Sequence, residues 1–244
     1  MSAAHPSVQP STEPRSAVPP STFAAAWIIA RKDLAIEFRT RSAFLSALLL
    51  SLLAIVIFFF TWDATAVTPL DIAPGVMWVT FTFSGLLGLH RSFGVEAQER
   101  AMDALLVAPV PREAIFLGKA LANLVFVSGV QLIALPAVAL FYNLPIGATW
   151  PALAGVMFLA AIGLVCIGTL FAGITANTRM AELLLPVLAL PFFVPIVLPA
   201  AQATAKLLAG RPLSDITAWL RILFAFDLVF LYACTLAFPF TLED

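Results

Sequence analysis

Between Lys119 and Arg179 the chain runs through 59 residues, Ala120 to Thr178, without one Asp, Glu, Lys or Arg. As one straight helix that run would reach about 90 Å at about 1.5 Å per residue. A bilayer core is only about 30 Å thick, so the run must fold back on itself. Asn143-Leu-Pro-Ile-Gly-Ala-Thr-Trp-Pro151 gathers the residues that stop helices and turn chains. The pattern therefore predicts one span near 118–142 and another near 151–176. Composition extends the conclusion to the whole chain. Of 244 residues 61% are hydrophobic and 11% charged, against about 25% charged in soluble domains. This is the make-up of an integral membrane protein. A net charge of −1 argues against a nucleic-acid partner. No stretch remains that could build a soluble nucleotide-binding or catalytic domain, so the chain is expected to be a non-catalytic membrane protein.

Four further apolar stretches complete six predicted spans: 44–62, 72–93, 183–203 and 219–240. The expected fold class is all-α and polytopic. Residues 1–22, rich in Pro, Ser and Ala, are expected to be a disordered tail. They lack the basic-then-apolar order and cleavage site of a signal peptide. Residues 23–244 then form one membrane domain. Ser21 or Thr22 can cap a helix starting near Phe23. In it Phe23, Trp27, Leu34 and Phe38 recur at helical spacing among Arg31, Lys32, Asp33, Glu37, Arg39 and Arg41, which suits an interfacial helix. The fifth span carries Pro186, Pro191, Pro195 and Pro199. Each removes a backbone donor and crowds the preceding turn, so this span is expected to be kinked, either as a gate or as a bent packing helix.

Six spans put both termini on one side. With the amino terminus inside, ten Lys and Arg fall in inner segments and three, Lys206, Arg211 and Arg221, in outer ones. Positive charge favours the inner side, so both termini are expected in the cytoplasm. Trp62, Trp78, Trp150 and Trp219 then fall near the outer boundary, where an aromatic belt is expected.

The charge-dense island between spans two and three is Glu96-Ala-Gln-Glu-Arg-Ala-Met-Asp-Ala-Leu-Leu-Val-Ala-Pro109. At about 100° per residue, Glu96, Glu99, Arg100 and Asp103 share one arc, while Ala97, Ala101, Met102, Leu105 and Leu106 lie opposite. This predicts a short amphipathic helix that lies along the cytoplasmic surface and offers its ridge to a partner. The chain has no metal-ligand cluster, Ser/His/Asp set or phosphate-binding Gly loop. His90 reads as an interfacial residue more readily than as a ligand, and Cys166 and Cys234 as packing residues. Asp227 is the one acid deep in a span. Intramembrane acids are costly and often functional. It is expected either to hydrogen-bond at a helix interface or to line a substrate path or partner contact.

Several stretches carry a family resemblance. They are Arg31-Lys-Asp-Leu34, Ala73-Pro-Gly-Val-Met-Trp78, Glu99-Arg-Ala-Met-Asp-Ala-Leu-Leu-Val-Ala-Pro109, Leu117-Gly-Lys119, the proline-rich fifth span and the ending Phe238-Pro-Phe-Thr-Leu-Glu-Asp244. In that order, over roughly 24–244, the chain resembles the heme exporter protein B (CcmB) family, the permease subunit of the cytochrome c maturation ABC transporter. The Glu99–Pro109 pattern is shared with type-2 ABC permeases generally. Here Ala101 stands where a Gly is usual and Asp103 where a Glu is usual.

The resemblance implies a bacterial inner-membrane location and a separate CcmA-like ATPase that carries the ATP and docks on 96–108. Glu96, Glu99, Arg100 and Asp103 would fix register, and Leu105 and Leu106 would pack. It implies heme as cargo, CcmC-like and CcmD-like membrane partners and a CcmE-like heme chaperone whose release uses ATP. It also implies a homodimer, for which Gly155, Gly163 and Gly168 offer close helix approach. Two alternatives stay open on sequence: a type-2 permease exporting a lipid, glycan or drug, and a membrane scaffold without energy coupling.

Overall fold

A computed structural model describes residues 21–99 and 110–242, apart from 64, 146, 148, 177 and 179. Seven helices carry the described chain: α1 (Thr22–Thr40), α2 (Ser42–Thr61), α3 (Pro69–Glu99), α4 (Arg112–Phe141), α5 (Trp150–Thr175), α6 (Ala181–Leu208) and α7 (Thr217–Ala237). Short 3-10 turns cover Leu213–Asp215 and Phe238–Leu242, and no strand occurs among the described residues. Six of the helices, α2 to α7, are long and apolar enough to cross a bilayer. The all-α, six-span reading therefore holds. The proposed tail falls almost wholly on residues outside the described ones.

Burial orders the bundle. In the spanning stretches of α3 and α5, 72% and 67% of residues are buried, against 22% in α2 and α7. So α3 and α5 form the centre, and α2 and α7 face outward. Small residues make the centre possible. A Cβ on Gly168 would collide with Leu89 Cδ1, and one on Gly163 would stand 2.6 Å from Asp227 Oδ1. These two glycines serve packing within the chain, not a dimer face. Gly155 alone of the three faces open space. Buried side-chain hydrogen bonds add specificity. Ser51 donates to Ser84 Oγ (2.6 Å) across α2–α3, and Asn123 donates to Thr169 Oγ1 (3.0 Å) across α4–α5.

The connections follow local chemistry. After α2, Asp63 Oδ1 accepts from the Thr65 hydroxyl (2.7 Å) and the Thr65 N–H (2.9 Å). Those bonds, the hydroxyl's first, hold its carboxyl below the usual range. The predicted turn between spans three and four is present, with Asn143 in the left-handed region at φ 48°. Asn tolerates that region better than most residues.

The fifth span is one helix, Ala181–Leu208, that carries all four prolines. Two expectations change. Trp78 does not join an outer belt: it is 1% exposed and donates to Thr204 Oγ1 at 3.0 Å, locking α3 to α6. Glu96 and Glu99 do not begin a separate surface helix. Nothing after Gly94 breaks the helical path, and α3 runs on through both to Glu99. Arg100, Asp103, Leu105 and Leu106 lie outside the described residues.

Candidate functional site

The end of the bundle that carries α1 also carries the roots of the charged segment. It is built from α1 inward. Ser21 caps α1, its Oγ accepting from the Ala24 N–H at 3.4 Å. The bulky stripe faces away from the protein, with Phe23 84% exposed. The buried face is the small one, Ala25, Ala26, Ile29 and Ala30. It packs against α4. Small residues let helix backbones approach closely, and Gly118 completes the fit. A Cβ there would stand 2.7 Å from the Ala26 carbonyl oxygen and 2.8 Å from Ile29 Cβ. Because the first of these is backbone, Gly118→Ala must push α1 away. We expect a cost of about 1–3 kcal/mol, read as a lower unfolding midpoint in detergent than the native chain shows.

Lys119 follows Gly118 and is fully buried. Its ammonium lies 3.3 Å from Asp33 Oδ2 on α1 and donates to the Ser92 carbonyl on α3 at 2.9 Å. One side chain on α4 therefore ties α1 and α3 together. The desolvated cation is matched by an acid and a backbone acceptor, the arrangement a buried charge requires. Asp33 also pairs with Lys32 at the surface, 3.1 Å away.

A second tie lies at the corner between α1 and α2. Arg41 is left-handed at φ 56°, and its N–H donates to the Glu37 carbonyl. Glu37 Oε1 accepts from the Phe44 N–H (2.9 Å), which caps α2. Arg91 of α3 reaches the same corner, its Nη1 donating to Ser42 Oγ at 2.8 Å. Thus α3 and α4, the helices on either side of residues 100–111, are both fastened to α1. His90 lies half-buried beside this corner and lines the groove there.

Sequence reasoning named Glu96 and Glu99 and missed the clamp beneath them. The signal was present, because Arg31-Lys-Asp-Leu34 and Leu117-Gly-Lys119 each contribute one half of the Asp33–Lys119 pair. What the sequence withholds is that two motifs 86 positions apart meet.

A separate feature lies deep in the bundle. Asp227 of α7 is 5% exposed, and neither carboxyl oxygen has a hydrogen-bond partner among the described residues. Of the two expectations for Asp227, an interface hydrogen bond is not made among the described residues. Oδ1 points at Gly163 of α5, where any side chain would collide with it, and Ile196 of α6 closes the same contact. Cys166 and Cys234 are buried and free. The four prolines of α6 contribute no polar side chain to either place.

These features define a multi-pass helical membrane protein with a charged clamp at one end and, among the described residues, a buried acid within the bundle. The sequence matches the CcmB protein family over residues 24–244, and the chain belongs to that family. It is similar to heme exporter protein B of Paracoccus denitrificans, with 36% identity over 167 residues, 68% of this chain and 71% of that protein. Heme exporter protein B of Rhodobacter capsulatus is 32% identical over 136 residues, 55% of this chain and 62% of that protein. The Haemophilus influenzae protein of the same name is 29% identical over 175 residues, 71% and 78% of the two chains.

Proposed function

We propose that this chain is the membrane subunit of an ABC-type heme exporter in the bacterial inner membrane, with both termini in the cytoplasm. Its family membership over residues 24–244 carries that reading. A CcmA-like ATPase subunit supplies ATP turnover and docks on the segment after α3, where Glu96, Glu99, Arg100 and Asp103 set register and Leu105 and Leu106 pack. The clamp supports the coupling. A push on residues 100–111 reaches α3 and α4 together, because Lys119 holds both to α1. Such stiffness lets a surface movement tilt whole helices instead of bending one loop.

Heme is the cargo of the complex. The cycle serves release of a heme-loaded CcmE-like chaperone from a complex with CcmC-like and CcmD-like proteins, and two copies of this chain form the membrane unit. Asp227 acts as a functional acid within the bundle, and the proline-bearing α6 as the helix whose packing changes during the cycle.

Copurification tests the reading. The chain, isolated in mild detergent, should bring an ATPase subunit together with a CcmC-like protein and heme-staining material. Recovery with a lone ATPase whose turnover rises with added lipid contradicts it, and points instead to export of another molecule.

A further inference from the structure

A groove of about 1400 Å³ opens between α1, α2, α3 and α4 at the end that holds the clamp. Its floor is aromatic. The rings of Phe44 and Phe126 meet edge to face at 5.8 Å, and Gly129 leaves room for Phe44, whose ring would lie 3.2 Å from a Cβ at that position. Leu45, Phe83 and Leu87 continue the apolar wall. Its rim is charged, and the charges do not balance. Of the two acids there, Asp33 is paired with Lys119 and Lys32, while Glu37 accepts the Phe44 N–H and keeps its charge, so one acid stands against two arginines. Among the described residues both guanidiniums bond to neutral oxygens: Arg41 Nε donates to the Phe38 carbonyl (3.3 Å) and Arg91 Nη1 to Ser42 Oγ. Among the described residues no carboxylate stands within ion-pair distance of either.

We propose that this groove binds one anionic phospholipid, its headgroup on Arg41 and Arg91 and its acyl chains over Phe44, Phe83 and Leu87. Four observations select that occupant. With Asp33 paired, the rim sets two cations against one acid, a net positive charge complementary to a phosphate diester. The volume exceeds the roughly 300–1,000 Å³ of sites for compact ligands, as an extended chain molecule requires. The wall on α3 from Phe83 to Ser92 is about 14 Å long at about 1.5 Å per residue, close to the roughly 15 Å of one leaflet's hydrocarbon. The rim coincides with the corner where the interfacial helix α1 turns into span α2, the depth at which headgroups lie. The left-handed Arg41 ends α1 and holds that corner. A bound lipid would brace α1 against α2, beside the clamp but independent of it. The inference does not depend on what the complex exports.

The test uses the full-length chain released from equimolar phosphatidylglycerol and phosphatidylethanolamine and weighed intact by native mass spectrometry. The native protein should retain one phosphatidylglycerol per chain in preference to phosphatidylethanolamine. The Arg41→Gln/Arg91→Gln double variant should lose that affinity about 25-fold, at about fivefold for each cationic contact. Leu87→Trp, which fills the groove and leaves both arginines, should lose it as well. Both variants should still unfold cooperatively in lipid-free detergent, and slow maleimide labelling of a cysteine at Ala25 shows that the clamp is intact. Retention by either folded variant equal to the native chain overturns the proposal. So does displacement of the lipid by water-soluble glycerophosphoglycerol, since the acyl chains would then contribute nothing. Preference for protoporphyrin IX over phosphatidylglycerol in the same competition would make the groove a cargo site and overturn the lipid assignment.

Discussion

Lys119→Met should lower stability by about 3–5 kcal/mol, the usual result of removing one partner from a buried ion pair. The methionine fills most of the volume but leaves two groups stranded. Asp33, whose side chain is 16% exposed, loses its buried partner, and the Ser92 carbonyl loses its donor. The structure predicts where the damage falls. Helix α1 meets the rest of the protein chiefly along α4, so it should detach before the six-span bundle unfolds. A cysteine placed at the buried Ala25 reports this directly. Maleimide should label it slowly in the native background and rapidly with Lys119→Met. Adding Asp33→Leu should restore part of the lost stability, because the stranded acid is then gone. Slow labelling in the single variant contradicts the clamp.

Asp227→Leu should do the opposite. The carboxyl sits in a tight space against Gly163 and Ile196 with no hydrogen-bond partner among the described residues. A buried polar group left unpaired costs about 1–3 kcal/mol. Leucine keeps the branched shape and removes the polar atoms, so the unfolding midpoint in detergent should rise by an amount equivalent to about 1–3 kcal/mol. If the acid serves the transport cycle, the same variant should lose c-type cytochrome production while it gains stability. Asn, which leaves polar atoms in the same place, should gain little. A drop in stability with Leu contradicts this account of Asp227 and indicates that its oxygens are satisfied in the membrane.

Sequence alone made the spans legible, because their signal is strong and local. A charge-free run of 59 residues with one turn-forming cluster can fold in few ways inside a bilayer. The Ser21 cap and the Asn143 turn were likewise readable from short-range chemistry. Contacts between distant segments were not. Periodicity marked Phe23, Trp27 and Phe38 as the notable face of α1. The face that packs is Ala25, Ala26, Ile29 and Ala30, because a helix lying on another needs small residues there and the bulky ones turn outward. Lys119 read as the last charge before an apolar run. Its burial depends on Asp33, 86 positions away. Trp78 read as a belt residue, yet Thr204 draws it inside. For the candidate site, sequence marked the charged segment but not the Asp33–Lys119 clamp beside it. The surface helix it suggested shares Glu96 and Glu99 with the end of α3.

The central claim is that another subunit's ATP cycle enters this protein at the segment after α3. Charge reversal at Glu99→Lys and Asp103→Lys, made together in the full chain, tests it most directly. Both changes suit a helix and touch no span, so the protein should insert at its normal level. The account predicts that the ATPase subunit no longer copurifies and that c-type cytochromes disappear from the cells. Normal cytochrome levels with the double variant in place would contradict it.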